Sequence, residues 1–299
     1  MSLLVLGTVA LDTVETPFSK RVAMLGGSAS HFSMSARLFT HVYISAVVGR
    51  DFPKKYLDLL RHDKIDFSSL IKTQGETFHW TGKYEGDMNA AITLGTKLGV
   101  LADFKPEISE EQRKIKYVFL ANVDPEIQKY LLGKMKSPTL VGLDTMNYWI
   151  STKLNSLLDV VKRVDVFVVN DQEARSLTGE TNLIKAAECL SSHGPKMILL
   201  KKGEHGVLFY SKKFKFCLPA YPIQKVIDPT GAGDTFAGGF MGYLAKAKKI
   251  DAKTIKKALG FATVAASFNV EGFGVERTSK LTLGVLNSRF NEFKKYILF

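Results

Sequence analysis

Six short apolar runs recur along the chain, and each is apolar at successive positions rather than at alternate ones. Strands that are covered on both faces have this pattern, as in a parallel sheet. The six runs therefore predict buried strands. They are LLVLG (3–7), VYISAVVG (42–49), KYVFLA (116–121), TLVGLD (139–144), VFVVN (166–170) and MILLK (197–201).

Segments with helical spacing of apolar residues lie between these runs, at 28–39, 125–135, 152–163 and 182–192. Alternation of strand and helix implies right-handed crossovers, with helices on both faces of one sheet. From residue 231 onward the chain becomes mostly helical. We expect an α/β protein, a three-layer α/β/α sandwich around a mostly parallel central sheet.

The stretch 75–100 departs from this rhythm, because polar and apolar residues alternate there and glycines interrupt it. Such alternation is typical of antiparallel strands with one exposed face. A small sheet inserted into an α/β body often serves as a lid that excludes water. Since no internal repeat or Pro/Ser-rich linker divides the sequence, residues 1–299 are predicted to form one domain that carries a lid.

Composition narrows the classes of function. The chain has 299 residues, of which 45% are hydrophobic and 23% charged, as in a globular enzyme. Its net charge of +12 comes from lysines scattered in twos and threes, which favours solvated faces and attraction for phosphates over a nucleic-acid surface. Cys189 and Cys217 are too few for a disulfide framework, and no apolar run has membrane length. We therefore expect a cytoplasmic protein that binds neither membrane nor nucleic acid.

The segment DPTGAGD at 228–234 carries the clearest candidate chemistry. It opens an apolar helix, Thr230 is placed to be the N-cap, and Gly231 and Gly233 leave the first-turn amides uncovered, as an anion site requires. Asp234 lies in the same turn, where the helix dipole favours an ionised carboxylate. Such a carboxylate could take the proton from an alcohol that attacks a phosphoryl group. The alternative is a helix cap in which Asp234 only satisfies amides.

The longer stretch DPTGAGDTFAGGF resembles the C-terminal signature of the PfkB (ribokinase-like) carbohydrate kinase family. Other segments resemble further motifs of that family, in the family's order. They are GTVALD (7–12) for GxxxxD, GGSASH (26–31) for GGxxxN, VGRD (48–51) for VGxD, DTMNYW (144–149) for a DxN segment with its asparagine shifted by one, NDQE (170–173) for NxxE and KGEHG (202–206) for the nucleotide segment. The resemblance implies a ribokinase-like fold, with lid strands at about 12–25 and 75–100. Dinucleotide-binding and P-loop motifs are missing, which disfavours those two classes.

The resemblance also implies roles by position. Asp234 is then the catalytic base, and Gly231, Ala232 and Gly233 form the anion hole for the transferred phosphate. Asp12 and Gly27 face the hydroxyls of the sugar. By the same resemblance, Asn170 and Glu173 lie near Mg²⁺ and the phosphates, with Glu173 acting through water. Gly203 and Gly206 lie against the nucleotide, and Thr263 lies near adenine. Asp228 and Thr230 bind a monovalent cation such as K⁺.

Some positions allow two interpretations. His31 stands where ribokinases usually carry an asparagine, and its place in the double-glycine motif favours a substrate contact over a purely structural role. Lys201 and Lys202 end a predicted strand beside the nucleotide segment. In one interpretation one of the two lysines neutralises phosphate charge, and in the other both are exposed to solvent. His79 and Trp80 either close over the acceptor or anchor the lid.

These features predict an ATP- and Mg²⁺-dependent kinase that phosphorylates a primary hydroxyl of a small sugar. Within this class the alternative is a nucleoside kinase, because the fold is shared and an aromatic lid could stack on a base. The rival from another class is a non-catalytic nucleic-acid-binding protein on a kinase scaffold, against which the intact Asp234 argues. A homodimer formed through the lid is a further expectation.

Overall fold

The structure is a computed structural model that describes residues 1–297. Its strands are β1 (Ser2–Leu6), β2 (Ala10–Thr16), β3 (Ser19–Gly26), β4 (His41–Val48), β5 (Ile65–Lys72), β6 (His79–Tyr84), β7 (Ala91–Lys97), β8 (Tyr117–Leu120), β9 (Leu140–Asp144), β10 (Val166–Asn170), β11 (Met197–Lys201), β12 (Val207–Tyr210) and β13 (Lys215–Leu218). Its helices are α1 (Ser28–Ala36), α2 (Lys54–Leu60), α3 (Pro125–Lys134), α4 (Asn147–Thr152), α5 (Leu154–Val161), α6 (Asp171–Thr178), α7 (Leu183–Ser192), α8 (Ala232–Ala247), α9 (Ala252–Asn269) and α10 (Leu283–Ile297).

The large sheet has nine strands in the order β13-β12-β11-β10-β9-β8-β1-β4-β5. The strands from β11 to β5 are parallel, whereas β12 and β13 are added antiparallel at one edge. All six apolar runs are strands of this sheet, so the predicted α/β architecture is confirmed.

The core explains why the runs are apolar at successive positions. Leu3 and Val5 of β1 pack in one cluster with residues of α1, α8 and α9. Leu4 and Leu6 pack in a second cluster with residues of α3, α5 and α7, on the other face of the sheet. All four side chains are fully buried, because successive side chains of a strand point to opposite faces and both faces are covered.

The second sheet has four strands in the order β3-β2-β6-β7, and we call it the lid sheet. Strands β2 and β6 pair in parallel, while β3 and β7 are antiparallel edges. Beneath it lies a small cluster of Val14, Tyr84, Met88 and Phe273. Over residues 1–297, every helix is too short or too polar to span a bilayer.

The topology brings polar residues to one edge of the large sheet. Strands β9, β10 and β11 are parallel neighbours, and they end at Asp144, Asn170 and Lys201. Because ligands of open α/β sheets bind outside the carboxyl ends of the strands, this edge is where a site is expected.

Candidate active site

The N-terminus of α8 is open. Gly231 is its N-cap residue, in the left-handed conformation at φ 75°, and within the described chain no side chain caps the first-turn amides. Thr230, predicted as the cap, instead donates its hydroxyl to the Tyr84 hydroxyl at 3.3 Å, so that prediction is wrong. With no side-chain cap, the positive end of the helix is left to an anion.

The turn that opens α8 is closely surrounded. A Cβ on Gly231 would collide with the ring of His31, and a Cβ on Gly233 would lie 2.8 Å from Lys201 Nζ. The Ala232 N–H is used inside the turn, where it donates to the Pro229 carbonyl at 3.1 Å. Of the three predicted anion-hole residues, the two glycines therefore shape the opening and Ala232 closes the turn.

Asp234 stands on this first turn and is half-buried. Burial and then the Asp144 carboxylate raise the pKa of Asp234 to about 7, against the opposing charge of Lys201. We expected the helix dipole to favour ionisation, but burial and the neighbouring carboxylate outweigh it. A carboxylate with a pKa close to neutrality is well matched to general-base catalysis near pH 7.

Lys201, at the end of β11, reaches past β10 to Asp144 at the end of β9. Its Nζ lies 3.1 Å from Asp144 Oδ2 and 3.5 Å from Oδ1. Burial lowers the pKa of Lys201, but the carboxylates of Asp144, Glu173 and Asp234 raise it overall, so the ammonium stays charged. Asp144 ends a predicted strand and begins the DxN-like segment 144–149, but the sequence alone gave it no role.

Asn170 and Glu173 form a capping box at the start of α6. Asn170 Oδ1 accepts a hydrogen bond from the Glu173 N–H, and Glu173 Oε2 accepts one from the Asn170 N–H, both at 2.7 Å. Burial raises the pKa of Glu173 to about 7; the charge of Lys201 opposes this and that of Asp144 adds to it. Among residues 1–297, no three acidic, histidine or cysteine side chains are grouped so that they could hold a metal ion.

Asp12 lies on the lid side of the site and is only 5% exposed. Its Oδ2 accepts a hydrogen bond from the Gly27 N–H at 3.2 Å. Its Oδ1 is buried and has no partner among the described residues. Burial raises the pKa of Asp12 to about 7. An unpartnered buried carboxylate oxygen is costly in free energy, so this atom is a candidate acceptor for a ligand hydroxyl.

The predicted nucleotide segment contains two glycines at positive φ, Gly203 at 55° and Gly206 at 80°. A Cβ on Gly206 would collide with the backbone carbonyl of Leu218, so this glycine also permits contact with β13. Thr263, predicted near adenine, lies on α9 and is 7% exposed.

His79 and Trp80, the two candidate acceptor-binding residues of the lid sheet, contact other residues of that sheet and its cluster. The His79 ring Nε2 lies 2.9 Å from Thr13 Oγ1, and Trp80 packs against the lid-sheet cluster. These contacts favour the anchoring interpretation. The loop after β6 reaches the nucleotide segment, where Asn89 Nδ2 donates to Glu204 Oε1 at 3.2 Å.

His31 and Asp228 are buried behind the open turn. His31 is 1% exposed, and its Nδ1 lies 2.9 Å from Asn269 Oδ1. Asp228 is 0% exposed and accepts hydrogen bonds from the Thr230 N–H at 2.9 Å and the Gly274 N–H at 3.1 Å. Burial raises the pKa of Asp228. Sequence reasoning missed Asn269, since no motif marks the end of α9.

An open helix end, with the Asp234 carboxylate on its first turn and the Lys201 ammonium beside it, could hold a phosphoryl group and take a proton from an attacking hydroxyl. Comparison with known proteins identifies the family of the chain. Residues 12–281 match the sequence profile of the pfkB family carbohydrate kinases, so the chain belongs to the PfkB family. It is an ATP-dependent kinase.

Two relatives align with most of the chain. The cytidine kinase of Thermococcus kodakarensis is 32% identical over 260 residues, which cover 84% of this chain and 91% of the relative. The ribokinase of Bacillus subtilis is 36% identical over 255 residues, which cover 84% of this chain and 82% of the relative. The crystal structure of Methanocaldococcus jannaschii nucleoside kinase matches the fold with a TM-score of 0.76 at 23% identity, covering 97% of this chain and 98% of that one.

Proposed function

We propose that this protein transfers the γ-phosphoryl group of ATP to the primary hydroxyl of a nucleoside. The observation that carries the proposal is the position of Asp234 on the open first turn of α8, close to the charge of Lys201. A nucleoside is favoured as acceptor because the cytidine kinase relative is similar over most of both chains.

In the proposed reaction, Asp234 takes the proton of the primary hydroxyl while the hydroxyl oxygen attacks the γ-phosphorus in line. A new P–O bond forms, the bond to the β-γ bridging oxygen breaks, and ADP leaves. The amides of the turn at Gly231 and Gly233, together with the Lys201 ammonium, hold the phosphoryl oxygens. Asp12 Oδ1 accepts a hydrogen bond from another hydroxyl of the acceptor.

Asn170 and Glu173 are the residues proposed to hold Mg²⁺. The fit rests on a buried carboxylate at the carboxyl edge of the sheet, since Mg²⁺ is usually bound by one or two carboxylates with substrate phosphates and several waters. At this position the ion would supply positive charge against the phosphates. A requirement for K⁺ at Asp228 and Thr230, and a cytoplasmic location, stay predictions.

A free pentose is the second candidate acceptor, because the Bacillus subtilis ribokinase is also similar over most of the chain. A panel of cytidine, adenosine, inosine, ribose and fructose tests the proposal, with ADP release measured and the product identified by ³¹P NMR. We expect the highest kcat/KM for a nucleoside. A higher value for ribose would replace the nucleoside by the sugar. Failure to phosphorylate any of them, together with salt-sensitive RNA or duplex binding, would favour the non-catalytic alternative.

A homodimer through the lid sheet stays a proposal supported by the edge strand β7. Every residue of Ala91–Lys97 is exposed, and Ile92 and Leu94 are 47% and 58% exposed. An exposed apolar edge strand is a template for pairing with another chain. Light scattering is expected to give a dimer that Leu94→Asp converts to a monomer. A monomeric unchanged protein would contradict this.

A further inference from the structure

Asn269, the last residue of α9, holds both ends of the turn that opens α8. Its Nδ2 donates to the Thr230 carbonyl at 2.7 Å, and its Oδ1 accepts from the Thr235 hydroxyl at 3.0 Å. Thr230 comes directly before Gly231, and Thr235 directly after Asp234. One buried amide therefore fixes the whole segment that is proposed to receive the phosphoryl group.

The same amide determines which nitrogen of His31 carries a proton. The Thr230 carbonyl can only accept, so Asn269 must present its nitrogen there and its oxygen to His31. An oxygen 2.9 Å from His31 Nδ1 needs a donor, so Nδ1 carries the proton. Burial lowers the pKa of His31 to about 4, which keeps the ring neutral near pH 7.

The ring of His31 also supports the turn by contact. A Cβ on Gly231 would overlap the ring atoms Cγ, Nδ1 and Cδ2. The side chain is 1% exposed, so it fills the space directly behind the N-cap residue of α8. His31 thus reaches the turn in two ways, through Asn269 and by packing against Gly231.

We propose that His31 is a positioning residue, whose Nδ1–H acts through Asn269 to fix the turn at Gly231 and Gly233 in the geometry that receives the transferred phosphoryl group. This inference rests on the proposed function. It replaces the predicted acceptor contact of His31. The competing role belongs to Nε2, which is buried without a partner among residues 1–297 and could accept from an acceptor hydroxyl.

The two roles are separated by a matched pair of variants, because they use different ring nitrogens. The amide nitrogen of asparagine is as far along the side chain as Nδ1, whereas that of glutamine is as far as Nε2. If His31 positions the turn, His31→Asn retains at least about tenfold more kcat than His31→Gln, with the acceptor KM changed by less than about threefold. Equal kcat values, a higher value for His31→Gln, or an effect confined to the acceptor KM would overturn the inference.

Asn269→Ala gives a second line of evidence should a His31 variant fold poorly. We expect it to lower kcat by about 10–100-fold, and its effect and that of His31→Gln to be far from additive, since both act on the same turn. Additive effects would show independent roles and overturn the inference.

Amide hydrogen exchange of the peptide 228–235, measured by mass spectrometry, needs no enzymatic activity. Faster exchange is expected in His31→Gln and Asn269→Ala than in His31→Asn and the unchanged protein. Equal exchange in all four would overturn the inference. Loss of the proposed function is recognised separately, because the unchanged protein would then transfer no phosphate to any acceptor.

Discussion

Lys201 and Asp144 form an ion pair, with Nζ 3.1 Å from Oδ2, across the end of the strand that separates β9 from β11. Their side chains are only 19% and 5% exposed. Both charges act on Asp234, the ammonium lowering its pKa and the carboxylate raising it. The two halves of one pair therefore oppose each other in setting the protonation of the proposed base.

Lys201→Met and Asp144→Asn should shift the pH dependence in opposite directions. The ionised Asp234 is the active form, so kcat/KM is expected to fall as the pH drops below about 7. Loss of the Lys201 ammonium raises the pKa of Asp234, so the fall in kcat/KM should begin at a pH about one unit higher. Loss of the Asp144 charge lowers the pKa of Asp234, so the fall should begin at a lower pH. The pH profiles of kcat/KM check this.

The other groups that interact with Asp234 are Glu173, Asp12 and Tyr84, and they are unchanged in both variants. If the ion pair were only structural, both variants would lose stability and neither profile would shift. Shifts in the same direction would contradict the charge arrangement.

Glu173→Gln should separate the two roles of Glu173. Glutamine also serves at this position of a capping box, so the melting temperature should change little. Loss of the charge is expected to raise the Mg²⁺ concentration for half-maximal activity by about tenfold. Glu188→Gln, an exposed change on α7, is the control. An unchanged Mg²⁺ titration would remove Glu173 from the metal site.

Asp12→Asn should weaken acceptor binding and leave ATP binding unaltered. An amide can still accept from the Gly27 N–H, but a charge-assisted hydrogen bond to the acceptor is lost, which corresponds to about a tenfold or larger rise in acceptor KM. Because the pKa of Asp12 is raised to about 7, the acceptor KM of the unchanged protein should fall as the pH rises through 7. Equal rises in the KM of ATP and of the acceptor would contradict the assignment.

Gly231→Ala and Gly179→Ala form a matched pair. Both glycines have similar positive φ, 75° and 72°, so alanine costs about 1–2 kcal/mol of backbone strain at either position. Only at Gly231 would the new Cβ also collide with His31, whereas nothing lies within 4 Å at Gly179. Urea unfolding should show a larger loss of stability for Gly231→Ala, and kcat should fall only there. Equal losses would mean that the His31 contact is unimportant.

The fold was predictable from the sequence wherever the hydrophobic pattern of one segment is enough to define a strand. The run VFVVN at 166–170 is buried on both faces and matches β10 residue for residue. Strand β5 was missed because its exposure is mixed along IDFSSLIK, and β12 because its apolar run, VLFY, is only four residues long.

The site was predictable only as far as it lies in local motifs. Asp234 and its glycines are consecutive, and a resemblance was enough to single them out. The contact between His31 and Asn269 joins residues 238 positions apart, and that between Lys201 and Asp144 joins residues 57 apart. Such pairs follow from how β9, β11, α1 and α9 pack, which periodicity does not specify.

The most direct test of the account is transfer by Asp234→Asn. Asparagine keeps the size of the side chain but cannot take a proton, so kcat for the best acceptor of the panel should fall by about 10²–10⁴-fold. The dissociation constant of Mg·ATP, measured by calorimetry, should stay within about twofold of that of the unchanged protein, because the role of Asp234 is in the transition state. An asparagine variant that turns over at the original rate would contradict the central claim.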